Sequence, residues 1–494
     1  MVNLLFIDDD DLLAKPGIVK TILDPACGTG GMLSTAQEYL RNLNPQARLE
    51  AFGQELNPET YATCRSDMML KSLDADNIMF GNSFSEDGHE GATFDYLLAN
   101  PPFGVEWKKV KDEVTDEHNN KGFAGRFGAG LPRINDGSFL FLQHMISKMK
   151  RPEEGGSRLA IVFNGSPLFT GAAGSGESEI RRWIIENDWL EAVVALPDQL
   201  FYNTGISTYF WIITNRKSPQ REGKVQLIDA RDMFTKMRKS LGEKRKEVSQ
   251  ADIDEIVRTY GAFEETDADA ENGDKQVGCK IFNNESFGFL RITVERPLKL
   301  RWEITADGIE ALKIDKKFAK LTEDEQATIV TRLEDKIGVA YPDGDDLRAE
   351  VKGLMDSAGV KGKPLETAIV NAFAIRDPEA DVVEDKKGKP EPDSDLRDNE
   401  NVPLPDGTLR FEPDPAERLA TPAFTKAVES YVEAEVRPYV PDAWVDHSKT
   451  KIGYEIPLTR HFYVYTPPRP LDEIDAEIRQ LEGEIQALLA EVTG

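Results

Sequence analysis

From Ile22 to about Asp229 the chain alternates short apolar, β-prone runs with stretches of helical periodicity. The runs are Thr21-Ile22-Leu23, Leu49-Glu50-Ala51-Phe52, Phe94 to Leu98, Leu159 to Phe163, Ala192 to Leu196 and Tyr209 to Ile213. Helix-length segments such as Met32 to Asn42 and Glu59 to Leu73 separate them. Continuous apolar strands are those buried on both faces, so the pattern predicts a doubly wound α/β domain with a mostly parallel sheet, here over residues 1–235. After Phe234 the sequence turns charged, and it predicts a mainly helical extension over 236–375. Residues 376–422 hold eight prolines among many acidic residues, the composition of an acidic, Pro-rich linker. In the remaining tail, 423–494, Leu471, Ile474, Ile478, Leu481, Ile485, Leu488 and Val492 recur at alternating steps of three and four. That heptad predicts a helix over 470–492 with a coiled-coil seam facing a partner rather than its own domain.

Composition narrows the function. The 494 residues are 40% hydrophobic, enough for a large core, and 88 acidic against 60 basic residues leave a net charge of −28. Such a chain is repelled by phosphate backbones, so work on nucleic acid requires help with the grip. Three cysteines without a C-x-x-C pair form neither a disulfide framework nor a four-thiolate zinc site and fit a reducing cytoplasm. The five histidines show no metal-ligand spacing, and no G-x-S-x-G elbow suggests a hydrolase. No segment approaches the ~20 unbroken apolar residues of a membrane helix.

The candidate chemistry lies at strand ends. Asp24-Pro25-Ala26-Cys27-Gly28-Thr29-Gly30-Gly31 follows the first strand and opens a helix, where glycines let the backbone approach a ligand; a plain tight turn explains the glycines equally well. Glu55, at the end of the second strand, is placed to accept from both hydroxyls of a ribose. Asn82 and Ser83, after the short step Ile78-Met79, are candidates for holding an adenine. Asn100-Pro101-Pro102-Phe103-Gly104 closes the strand Phe94 to Leu98. Its prolines fix the backbone, so that the Asn100 oxygen and the Pro101 carbonyl aim at one spot beside the Phe103 ring. Two acceptors and a ring form a clamp for an aromatic amine, whose delocalised lone pair makes it a poor nucleophile. The basic run Lys236 to Lys246 reads either as a DNA-phosphate contact or as a solvated helix face.

These motifs, together with Gly53–Tyr61, Leu98–Gly104, Leu196–Ile206 and Val225–Ala230, resemble the modification subunit of type I restriction-modification systems, an adenine-N6 DNA methyltransferase. The resemblance spans residues 20–300, and the tail segments Ile452–Pro457 and Arg460–Tyr463 resemble long-tailed members. It implies a Rossmann-like fold and S-adenosylmethionine as cofactor. Asp24, Cys27, Gly28, Thr29, Gly30 and Gly31 would hold its methionine part and Glu55 its ribose, while Asn100, Pro101, Pro102 and Phe103 would form the catalytic clamp on an adenine flipped out of double-stranded DNA. It also implies a separate specificity subunit, docked through the C-terminal helix, a second copy of this chain and a restriction subunit. The family usually has an amino-terminal helical domain and a Phe-Thr-Pro motif ahead of the first strand; this sequence has neither, so the chain reads as truncated at its start. Asn82 stands where many relatives have Asp. Two other readings remain open: a methyltransferase for protein glutamine or RNA, and a non-catalytic assembly subunit.

Overall fold

A computed structural model describes residues 1–494 apart from 10–12, 268–275, 464, 466–468 and 494, and apart from the side chains of 8, 487 and 490–493. It divides into two units, Met1–Phe287 with Tyr454–Gly494, and Gly288–Gly453.

In the first unit, β1 (Val19–Asp24), β2 (Arg48–Glu55), β3 (Ile78–Phe80) and β4 (Tyr96–Ala99) are parallel, in the order β3-β2-β1-β4. β5 (Arg158–Phe163) extends the sheet parallel to β4. Every residue of β4, β5 and β6 (Leu190–Ala195) is buried, the apolar ones between the sheet faces and the Arg158 and Glu191 side chains as an ion pair at 2.8 Å. β7 (Tyr209–Thr214) lies antiparallel between β5 and β6, and β8 (Lys224–Asp229) runs parallel to β6. The fold is thus the expected doubly wound, mostly parallel one, with an antiparallel strand inserted where periodicity gives no sign of direction.

Helices cover the sheet because their apolar stripes match its faces. Gly31–Leu43 buries Leu33, Ala36, Gln37 and Leu40, a step-of-three-and-four stripe. Pro58–Leu70 starts with proline at its first position, and the Asn57 side chain accepts from the amides of Glu59 and Thr60, so its N-terminus is fixed. Cys64 and Met68 from this helix join Ile22, Leu33, Leu40, Tyr96 and Leu98 in one core. Each such large apolar side chain contributes about 1.5–3 kcal/mol on burial.

Three expected boundaries differ. First, the sheet does not end before 235: β9 (Thr235–Leu241) and β10 (Lys244–Glu247) form an antiparallel hairpin where a charged helix was expected, and β11 (Gly278–Asn283) pairs antiparallel with β8. Second, 376–422 is not a free linker. Asp398–Pro403 is a strand paired over six positions with β12 (Gly288–Glu295), and its backbone is satisfied there although its side chains are mostly polar. Third, 423–453 belongs to the second unit. That unit is helical where its apolar residues have a 3.6 period, and its own core gathers Ile309, Leu312, Ile329, Leu333, Val351, Ile369 and Phe373.

The terminal helix runs Leu471–Thr493. Leu471, Ile478, Leu481, Ile485 and Leu488 of the seam are each 48–78% exposed. Val492's side chain lies outside the described residues. No helix among the described residues is long and apolar enough to cross a membrane.

Candidate functional site

Parallel pairing brings the carboxyl ends of β1, β2, β3 and β4 to one edge of the sheet, and loops leaving those ends build a cleft of about 1260 Å³. Its lining includes Pro25, Ala26 and Gly28 from the first loop, Glu55 to Pro58 from the second, Asn82 to Phe84 from the third and Asn100 to Phe103 from the fourth. Motifs separated by some seventy-five residues therefore share one concavity, where open α/β sheets bind ligands.

The first loop is held from beneath. The Asp24 carboxylate accepts from the Ala26 amide at 3.0 Å, and the Ser83 hydroxyl donates to the Pro25 carbonyl at 2.6 Å. Gly28 has φ +55°, and a Cβ there would meet nothing within 4 Å, so its open side faces the cleft. Its amide donates to Glu55 Oε2 at 2.9 Å, while Glu55 Oε1 accepts from Asn57 N at 2.7 Å. Each carboxylate oxygen keeps a further lone pair for a ligand. Asp24 is 2% exposed. Burial, reinforced by the charge of Glu55 and opposed by the Ala26 amide, pushes its carboxyl up to about 7.

Not every residue of the motif reaches the cleft. Cys27 turns its thiol into the core, 3.9 Å from Cys64 Sγ, so only its backbone is available above. Gly30 has φ +81°, and a Cβ would approach Met68 Cε to 2.7 Å and Cys64 Sγ to 2.8 Å; this glycine is required by helix packing. Thr29 and Gly31 are exposed beside the cleft lining at the helix start. Asn82 spends its side-chain oxygen on the Phe84 amide at 2.9 Å, and Ser83 spends its hydroxyl proton on Pro25. These two residues therefore brace the loops as well as bordering the cleft.

The fourth loop carries the residues expected to form the clamp. Pro101 is buried, Asn100 is exposed at the cleft, and Gly104 takes φ +63° to turn the chain away. Among the described residues no group hydrogen-bonds the Asn100 side chain, which leaves its amide for a ligand. The Phe103 ring is edge-on to Phe201, with centroids 6.0 Å apart. Phe201, Asn203 and Thr204 also line the cleft, and they fall in a segment whose sequence carried no stated role.

Other contributors had no sequence signal. Phe84, 3% exposed, packs on Phe141 with centroids 4.5 Å apart, and both rings border the cleft. Arg126 donates to the carbonyls of Ser83 and Phe84, each at 2.7 Å, and pairs with Glu117, fixing the third loop from outside the cleft. Only folding brings Arg126 to that turn.

Residues 10–280 match the family described as N-6 DNA Methylase. The chain is 27% identical over 345 residues to the type I restriction enzyme MjaIX methylase subunit of Methanocaldococcus jannaschii, covering 69% of this chain and 56% of that protein. It is 30% identical over 252 residues to the HindI methylase subunit of Haemophilus influenzae, covering 50% and 52%. The type I methyltransferase subunit from Streptococcus thermophilus superimposes with a TM-score of 0.46 at 27% identity, covering 58% and 54%. The chain spans about half the length of the curated relatives it matches.

Proposed function

Because the chain belongs to the N-6 DNA methylase family, we propose that it transfers a methyl group from S-adenosylmethionine to the exocyclic amine of an adenine flipped out of duplex DNA. The observation that carries this reading is the shared cleft: the Asn100–Phe103 clamp and the Gly28–Glu55 loop pair border the same space.

The residues present fit the cofactor. Asp24 offers a buried carboxyl for an ammonium, Glu55 offers acceptors for a ribose diol, and Leu56, Phe84 and the Asn82 turn offer an apolar wall with a polar edge for an adenine. The approach over Gly28 serves the methionine part, with Cys27 contributing backbone and Thr29, Gly30 and Gly31 shaping the turn into the helix. When bound, S-adenosylmethionine supplies a methyl group already activated on sulfonium, so no side chain has to act as nucleophile. Asn100 Oδ1 and the Pro101 carbonyl accept the hydrogens of the target amine, which concentrates its lone pair on nitrogen. Pro102 keeps that backbone rigid, and Phe103 stacks on the base.

The exposed seam of the terminal helix supports assembly. Large apolar side chains at heptad spacing gain from a helical partner, and we assign that partner to a specificity subunit, which supplies target choice and DNA grip that an acidic catalytic chain lacks. A second copy of this chain and a restriction subunit complete the complex that the reading implies. The test incubates the chain, a specificity subunit and duplex DNA with methyl-labelled S-adenosylmethionine and digests the DNA to nucleosides. Label in N6-methyl-2′-deoxyadenosine is expected; label only in protein or RNA substrates offered in parallel would refute the reading.

A further inference from the structure

We propose that the β9–β10 hairpin is a phosphate-gripping arm that holds a DNA strand beside the cleft. The inference rests on the DNA reading above and adds a contact surface to it. Residues 235–247 carry six cations, Lys236, Arg238, Lys239, Lys244, Arg245 and Lys246, against Glu243 and Glu247, in a chain whose net charge is −28. A cationic island in an acidic protein concentrates a polyanion where the rest of the surface repels it.

The placement of the hairpin gives the island its meaning. Among the described residues its strands pair only with each other, and a lone two-stranded hairpin is marginal in water unless it is anchored. The anchor is the loop that lines the cleft: Arg245 N donates to the Gln199 carbonyl at 3.0 Å, and Glu243 N donates to the Tyr202 carbonyl at 3.0 Å. Gly242, at φ +62°, passes so close to that loop that a Cβ would lie 2.5 Å from the Tyr202 carbonyl oxygen. Between these two anchors lies Phe201, the ring that meets Phe103 of the clamp. The cleft rim adds exposed Lys108 and Lys109, so cations continue from the hairpin's neighbourhood into the site.

The charges are arranged for an outside anion rather than for the fold. Lys236, Arg238, Lys239 and Arg245 are exposed and pair with no carboxylate among the described residues. Lys246 is the exception, paired with Asp198 and set 3.8 Å from the Phe234 ring centroid. Lys236 stands directly opposite Lys246 across the ladder, a like-charge pair that weakens a hairpin. β9, seven residues long, spans about 23 Å, enough to follow several phosphates of one strand.

The test measures binding of the full chain to a fluorescein-labelled duplex over a range of salt concentrations. It uses wild type, Lys236→Gln/Arg238→Gln/Lys239→Gln, and the charge-conserving Lys236→Arg/Lys239→Arg, with S-adenosylmethionine affinity as a check on the cleft. The glutamine variant is expected to bind DNA at least tenfold more weakly, with a log–log salt slope shallower by up to about 2.7, at unchanged cofactor affinity. The arginine variant keeps the wild-type slope. If the glutamine variant matches wild type in affinity and slope while wild type methylates adenine, the arm is overturned and the DNA reading stands. If wild type labels no adenine in the presence of a specificity subunit, the DNA reading falls and the arm falls with it.

Discussion

The backbone amide of Gly28 donates to Glu55 Oε2 at 2.9 Å, so the carboxylate that ends β2 also fixes the glycine loop that follows β1. One side chain thereby positions two parts of the proposed cofactor site. Glu55→Ala is expected to lose the loop anchor and the diol acceptors together, weakening S-adenosylmethionine binding at least tenfold, about 1.4 kcal/mol. Glu55→Gln keeps one oxygen acceptor and is expected to fall between. Isothermal titration of the three proteins checks the order; equal affinities would remove Glu55 from the site.

The two left-handed glycines of the first loop, Gly28 and Gly30, do different work. Alanine at either position costs about 1–2 kcal/mol for its φ. At Gly30 the added methyl also meets Met68 and Cys64, adding about 1–3 kcal/mol of overpacking, whereas at Gly28 it enters open cleft. Gly30→Ala is therefore expected to show the larger loss in urea unfolding, and Gly28→Ala the larger loss of cofactor affinity relative to its stability change. Identical losses in both measurements for the two variants would contradict this division.

Asp24 gives the site a pH signature with two opposite signs. Its carboxyl sits near 7 in the fold against an ordinary 3.8, so the folded state holds more protons between those values. Stability of the free protein from this group is fully present below about 4 and is lost as pH rises through 7. Cofactor affinity runs the other way, rising up to tenfold per unit towards pH 7 as the carboxylate forms, and falling again as the ligand's own α-amino group titrates near 8. Asp24→Asn is expected to bind weakly with a flat profile below pH 7. A rising limb that survives in this variant would place the titrating group elsewhere.

Strands buried on both faces were legible in the sequence because their apolar runs are nearly continuous, and that covers β4 to β7, while β1 and β2, buried only in part, were read from shorter apolar runs. The hairpin β9–β10 was not, because exposed cations on both of its faces erase any period. Asp398–Pro403 was hidden for a related reason: its backbone pairing with β12, rather than its side chains, fixes it. Within the site, the residues at strand ends could be read from motif spacing, whereas Arg126, Phe84 and Phe141 arrive through tertiary packing. The sequence left the glycine motif open between a ligand-facing loop and a plain tight turn, and the structure splits it, with Gly28 at the cleft and Cys27 and Gly30 answering to the core beneath it.

The terminal helix offers a test of assembly apart from chemistry. Ile478 and Ile485 are 48% and 56% exposed, so Ile478→Asp/Ile485→Asp is expected to leave the melting temperature and cofactor affinity unchanged. Recovery with a specificity subunit in co-purification is expected to fall sharply, and DNA methylation with it. Equal recovery of wild type and variant would place the subunit contact elsewhere.

Asn100 bears most directly on the central claim, because its side chain, exposed at the cleft, is the group proposed to hold the target amine, while Glu55 is proposed to hold the cofactor. The deciding measurement is single-turnover methyl transfer to duplex adenine by wild type and Asn100→Ala in the presence of a specificity subunit, with S-adenosylmethionine affinity measured on the same preparations. The account predicts N6-methyladenine from wild type, none from Asn100→Ala, and cofactor affinities within severalfold of each other. Undiminished transfer by Asn100→Ala, or loss of cofactor binding together with transfer, would contradict it.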